Sequence, residues 1–210
     1  MAVYRLQKVW PEYQGRVRIA FRSLSIELKN RRPTPKPVVD VEIPLMLEQE
    51  PDLPIRPWKA PLWRYVPTLL PAFEAEKAAA QQGDEAIWRF AWQVRYAFFE
   101  RNRTICMRFE LEEIAREVGL DVERFLEDWD SGRFRKQVEA DSHHAWEVLK
   151  VPGSPTFVLP SGKQVPNPGA IKVKWGPKHE VVERKAADCP DGDCLQVFRE
   201  MLEEAIREPA

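Results

Sequence analysis

Ten of the chain's 19 prolines fall between Pro33 and Pro71. Proline lacks an N–H, and its ring clashes with the preceding helical turn. A stretch this rich in it is predicted to avoid helix interiors and central strands alike. Residues 31–67 are therefore expected to form a connection, ordered or semi-ordered, between a short front segment and the rest of the chain. Trp58 and Trp63 lie inside it. Rings that large are unusual in a disordered linker, so both are expected to pin the connection to the body of the protein.

Beyond the connection the pattern is helical. An alanine-rich helix is predicted from Leu69 to Gln82, ending at Gly83. A second follows, with Asp84 as its cap and Ile87, Phe90, Ala91, Val94 and Phe98 at helical spacing. A third carries Leu111, Ile114, Ala115 and Val118 and stops at Gly119. Asp121 caps a fourth, and a fifth runs from about Gly132 to Lys150. The pattern then changes. Thr156–Leu159 reads as a short apolar strand, and Ile171, Val173 and Trp175 alternate with Lys172 and Lys174 in another. A last amphipathic helix uses Leu195, Phe198, Leu202 and Ala205.

At the front, Val3, Leu6 and Trp10 share a helical face ended by Pro11 and Gly15. In 16–24, Val17, Ile19 and Phe21 point one way and Arg16, Arg18 and Arg22 the other, as in a strand. Basic faces protect sheet edges, so the two alternating segments are expected to flank a small sheet with the apolar strand inside. The predicted class is α/β with an all-helical insertion. Residues 1–30 and 151–210 form one domain, 31–67 the connection and 68–150 the helical domain.

Thirty-two basic against 33 acidic residues leave a net charge of -1, which points to neither nucleic acid nor an acidic membrane as partner. The segment MAVYRLQKVWPEY has neither the apolar stretch nor the small-residue cleavage site of a signal peptide. No run approaches the roughly 20 apolar residues that span a bilayer. A cytoplasmic location is the expectation. No glycine-rich phosphate loop or serine-nucleophile elbow appears, and no cofactor is expected.

Of the three cysteines, Cys106 sits in an apolar context and reads as a small buried hydrophobe. Cys189 and Cys194 enclose Pro190-Asp191-Gly192-Asp193, a sequence able to curl the sulfurs together. Asp193 reads as the cap of the last helix, which puts Cys194 in the first turn, where the helix dipole favours a thiolate. Asp188, Asp191 and Asp193 oppose that charge. The pair can thus be a redox pair, a structural disulfide or two free thiols in a polar turn. A zinc site is not expected, because His179 is the one soft ligand nearby and a closed site needs four. His143 and His144 are neighbours mid-helix and read as solvated or packed.

PAFEAEKAAAQQG, FAWQVRYAFFERNRTI, LEEIAREVGLDVERF and VPGSPTFVLPSG, in that order, resemble the DsbA-type thioredoxin-fold disulfide oxidoreductases, in their intracellular FrnE-like branch. The resemblance implies a thioredoxin-like fold interrupted by a helical domain, acting on thiols and disulfides of proteins or small molecules. It implies a cis Ser154–Pro155 bond, with Ser154, Pro155 and Thr156 beside the redox site where an extended substrate binds. The family's Cys-x-x-Cys has no counterpart in this sequence. That motif and the central strand before it are expected upstream of Met1, and activity is expected to be impaired without them. Two rivals share the architecture: the kappa-type glutathione transferases and 2-hydroxychromene-2-carboxylate isomerases, with serine as the key residue, and a non-catalytic peptide-binding module.

Overall fold

The computed structural model describes residues 1–177 and 180–207. Helix α1 (Ala2–Val9) passes into a 3₁₀ turn at Trp10–Glu12. Helices α2 (Ile26–Asn30), α3 (Lys36–Gln49), α4 (Leu70–Ala80), α5 (Asp84–Phe99), α6 (Arg108–Glu117), α7 (Val122–Asp130) and α8 (Arg133–His143) follow. A π-helical turn, His144–Val148, extends α8. Then come four short strands, β1 (Thr156–Val158), β2 (Gln164–Pro166), β3 (Lys172–Trp175) and β4 (Val181–Lys185), and helix α9 (Cys194–Arg207). The chain forms two compact units, one from Met1–Ile19, Pro44–Leu53 and Lys150–Ala210, the other from Ala20–Ile43 and Pro54–Leu149.

The second unit is helical. Ala72, Ala75, Ala78 and Ala79 of α4 are buried, and their small side chains let α5, α7 and α8 approach closely. Phe90 of α5 meets Phe125 of α7 with ring centroids 5.4 Å apart, and Leu111 and Ile114 of α6 complete the same core. Fully burying a side chain of this size contributes roughly 1.5–3 kcal/mol. The cap of α7 is the predicted one, with Asp121 accepting from the Arg124 N–H at 3.1 Å. Helix α5 instead takes Gly83 as N-cap, with Asp84 in its first turn.

Residues 17–25 hold no strand, contrary to the sequence expectation. The period-two burial survives, with Val17, Ile19 and Phe21 half-buried between exposed neighbours. What is missing is a ladder partner. Within the helical unit, side chains of α8 serve this backbone instead: Asp141 accepts from the Ser23 N–H at 3.1 Å and Ser142 Oγ from the Ser25 N–H at 3.1 Å. Alternation reports two faces; it does not report what pairs with the edges.

The proline-rich segment also differs from expectation. Fourteen of its residues form α3, with Pro37 in the first turn and Pro44 inside the helix. Pro37 is tolerated because the first N–H groups of a helix have no partner anyway. Pro44 cannot donate to the Asp40 carbonyl, and the chain passes from one unit to the other at this residue. Trp58 packs on Tyr65 and Phe98 at 5.2 and 5.5 Å, as an anchor should, whereas Trp63 is 84% exposed.

In the first unit α1 packs on α9, burying Leu6, Val9 and Tyr13 with Phe198, Met201 and Leu202. The strands form two antiparallel hairpins. Phe157 of β1 faces Val165 of β2, and Val173 of β3 faces Arg184 of β4. The expected single sheet around β1 is therefore two separate two-stranded sheets among the described residues. Phe157 reaches Phe198 edge-on at 6.0 Å, which seats the first hairpin on α9.

Candidate functional site

The site grows from the start of α9. Asp193 accepts from the Leu195 N–H at 2.8 Å and so satisfies one of the helix's orphan donors. Just before it, Asp191 and Gly192 take φ of 48° and 79°, and the Gly192 N–H returns to the Cys189 carbonyl at 3.1 Å. Two successive left-handed residues curl the chain tightly. The Cα atoms of Cys189 and Cys194 come to 4.6 Å and the sulfurs are joined in a disulfide. Of the readings open in sequence, two free thiols is the one that the structure removes. Both cysteines remain half-exposed.

Behind the disulfide lies a buried polar cluster. Gly169 is buried with φ of 64°. A Cβ there would stand 3.0 Å from Arg5 Nη1 and 3.2 Å from Cys194 Cβ, so conformation and space both require glycine. Its carbonyl accepts from Arg5 Nη1 at 2.6 Å and from Gln49 Nε2 at 2.5 Å, and Cys189 Sγ lies 3.7 Å from the same oxygen. Gln49 Nε2 is also 3.6 Å from Cys194 Sγ, while its Oε1 accepts from the Ile171 N–H at 3.1 Å. Arg5 is 1% exposed, and its Nε bonds Glu50 at 2.8 Å. Lys8 donates to the other Glu50 oxygen at 2.9 Å. Burial alone would raise the Glu50 carboxyl, but the hydrogen bonds from Arg5 and Lys8 outweigh it and hold it below its ordinary value.

Ser154, Pro155 and Thr156 sit at the mouth of the first hairpin, with the Ser154–Pro155 bond cis. Ser154 and Pro155 are exposed, and Thr156 Oγ1 donates to the Gly153 carbonyl at 2.7 Å. The Pro155 carbonyl accepts from the Asn167 N–H at 2.9 Å. Asn167 is two residues from Gly169, so one turn ties this segment to the disulfide. The two sets of residues singled out in sequence thus belong to one unit of the fold. Arg5, Gln49, Glu50 and Gly169, which hold it together, were not expected. Their only sequence signals are an Asn-Pro-Gly turn and a charge on the apolar side of a short helix.

Cys106 is half-buried against the helical core, and that burial pushes its thiol up, which disfavours the thiolate. His143 and His144 are both exposed. His179 lies outside the described residues. Among those described, no group of three or more His, Cys, Asp or Glu is arranged to hold a metal ion. Nor is any described helix long and apolar enough to cross a membrane.

The architecture is α/β and thioredoxin-like with an inserted all-helical domain, a fold of the thiol–disulfide oxidoreductase type. A family model described as Thioredoxin matches residues 47–174, well over half of the chain, and the protein belongs to that family. Ser154, Pro155 and Thr156 fall inside the matched span, whereas Cys189 and Cys194 lie beyond it. A search of the curated proteins finds no match.

Proposed function

We propose that this protein is a thiol–disulfide oxidoreductase or isomerase of the DsbA type, in the FrnE-like branch, and that Cys189 and Cys194 are its redox pair. Its substrates are disulfides of proteins or small molecules, met in the cytoplasm, with no nucleic acid or membrane as partner. The observation that supports this reading is the half-exposed disulfide closing a tight turn onto the first residue of α9. An accessible cystine at a helix N-terminus is the reactive kind, because the thiolate formed on reduction is stabilised there. Ser154, Pro155 and Thr156 would offer backbone to an extended substrate. β1 pairs with β2 alone among the described strands, which leaves its other edge without a strand.

The test is equilibration with glutathione redox buffers, followed by alkylation and mass measurement. Cys189 and Cys194 should titrate together at a poise the buffers can reach. The protein should also accelerate insulin reduction by a small thiol, and Cys194→Ser should abolish the acceleration. A pair that stays oxidised until the protein unfolds, or a Cys194→Ser variant with undiminished activity, would overturn the reading.

A further inference from the structure

The two sulfurs of the pair face opposite electrostatic surroundings. Cys189 Sγ lies 3.7 Å from the Gly169 carbonyl oxygen, an acceptor, whereas Cys194 Sγ lies 3.6 Å from Gln49 Nε2, a donor. A thiol can donate to the first, and a thiolate placed there would meet the carbonyl's partial negative charge. A thiolate at the second receives a hydrogen bond and stands on the first residue of a 14-residue helix. Resting on the redox reading above, we propose that Cys194 is the attacking thiolate of the reduced pair, that Gln49 is the donor that holds it ionised, and that Cys189 is the resolving thiol kept protonated by the Gly169 carbonyl.

The rest of the cluster keeps that division in place. Arg5 Nη1 and Gln49 Nε2 fix the Gly169 oxygen at 2.6 and 2.5 Å, and the Ile171 N–H fixes the far end of the Gln49 amide at 3.1 Å. The amide therefore cannot turn over without breaking two contacts. The charges around the pair are balanced or screened, so the two contacts above decide between the sulfurs. Arg5 is buried beside Gly169, and its charge is balanced by Glu50, which Lys8 also binds. Asp193 is engaged by the Leu195 N–H at 2.8 Å and by Arg199 at 3.5 Å, and Arg199 is shared with Glu12. Asp188 and Asp191 are exposed, where solvent and salt screen them.

The chemistry balances without a cofactor. Cys194 thiolate attacks one sulfur of a substrate disulfide; the new S–S bond forms as the old one breaks, and the second substrate sulfur leaves as thiolate and takes a proton from water. Cys189 then gives up its proton to solvent and attacks Cys194 Sγ, expelling the first substrate sulfur. The substrate disulfide gains two electrons and the pair loses two. Two equivalents of a low-molecular-weight thiol, leaving as their own disulfide, return the pair to the dithiol for the next turnover.

Single-cysteine proteins in a Cys106→Ala background test this, with oxidised glutathione as the probe. Near neutral pH, Cys189→Ser, which leaves Cys194, should form the mixed disulfide about three- to fourfold faster than Cys194→Ser, because a thiol pKa lower by about one unit raises the thiolate fraction up to about tenfold while making each thiolate less nucleophilic. Its ultraviolet thiolate titration should also lie lower. Adding Gln49→Leu to Cys189→Ser should erase most of that advantage. Equal rates for the two single-cysteine proteins, or faster reaction at Cys189, would overturn the assignment even if the pair is redox-active. An unchanged titration in the folded Gln49→Leu protein would remove Gln49 from it. The cysteine comparison leaves Gln49 untouched, so it stands if that variant fails to fold, and failure of the pair to equilibrate with glutathione sinks the parent reading instead.

Discussion

At residue scale the decisive group is Arg5, a cation taken out of water on α1. It is bearable because two hydrogen-bond acceptors, Glu50 and the Gly169 carbonyl, receive it. Glu50 then carries a pH dependence whose sign is fixed. Burial would raise its carboxyl, the hydrogen bonds from Arg5 and Lys8 more than reverse that, and the folded value lies below the ordinary 4.5. A carboxyl depressed in the folded state contributes stability that is present above the unfolded value. That contribution fades as pH falls from about 4.5 through the folded value. Urea midpoints measured from neutral to acid pH should therefore drop across that window, and Glu50→Gln should flatten the drop while lowering the neutral midpoint. A Gln variant with the same acid slope would show that the cluster contributes nothing to acid sensitivity. The sequence shows Arg5 as a charge beside Leu6 and Val9 on the apolar side of a short helix, but not that Glu50 and the Gly169 carbonyl will receive it.

At element scale, the helices are where the sequence was most legible. Helices α4 to α8 were expected from spacing and stop signals that act locally, and all lie where those signals put them, within a few residues at their ends once the π-helical turn His144–Val148 is counted with α8. The cap of α7 shows how much such a signal carries. Asp121→Ala removes the bond to the Arg124 N–H and should cost about 1 kcal/mol, while Asp121→Asn should restore most of it. Chemical denaturation of the three proteins checks this, and an equal loss in the Asn variant would show that the cap bond is not the cause. Helix α3 was not legible for the opposite reason. Its prolines argue against a helix one residue at a time, yet Pro37 occupies the first turn and only Pro44 breaks the ladder. Segment 17–25 failed in the same way: its alternation is real, but its backbone partners are side chains on α8, more than a hundred residues on.

For the whole molecule, the proposed redox pair and the helical core fall in different units. Arg5, Gln49, Gly169, Cys189 and Cys194 all belong to the unit built from the chain's front, the end of α3 and its last third. Opening a disulfide that closes so short a loop should cost about 2 kcal/mol by chain entropy. Hydrogen exchange on the reduced protein should therefore lose protection in α1, α9 and the hairpins, while amides of α4 to α8 keep theirs. A uniform loss along the chain would show that the disulfide stabilises both units together. The sequence by itself determined what depends on near neighbours: helix periods, stops and caps, the turn that can bring Cys189 to Cys194, and the motif around Pro155. Tertiary structure alone decided which edges pair, that the proline-rich stretch holds a helix, and that Arg5 and Gln49 converge on Gly169 beside the cystine. The last joins residues more than a hundred positions apart, and all three are set by packing and burial, of which local composition carries no record.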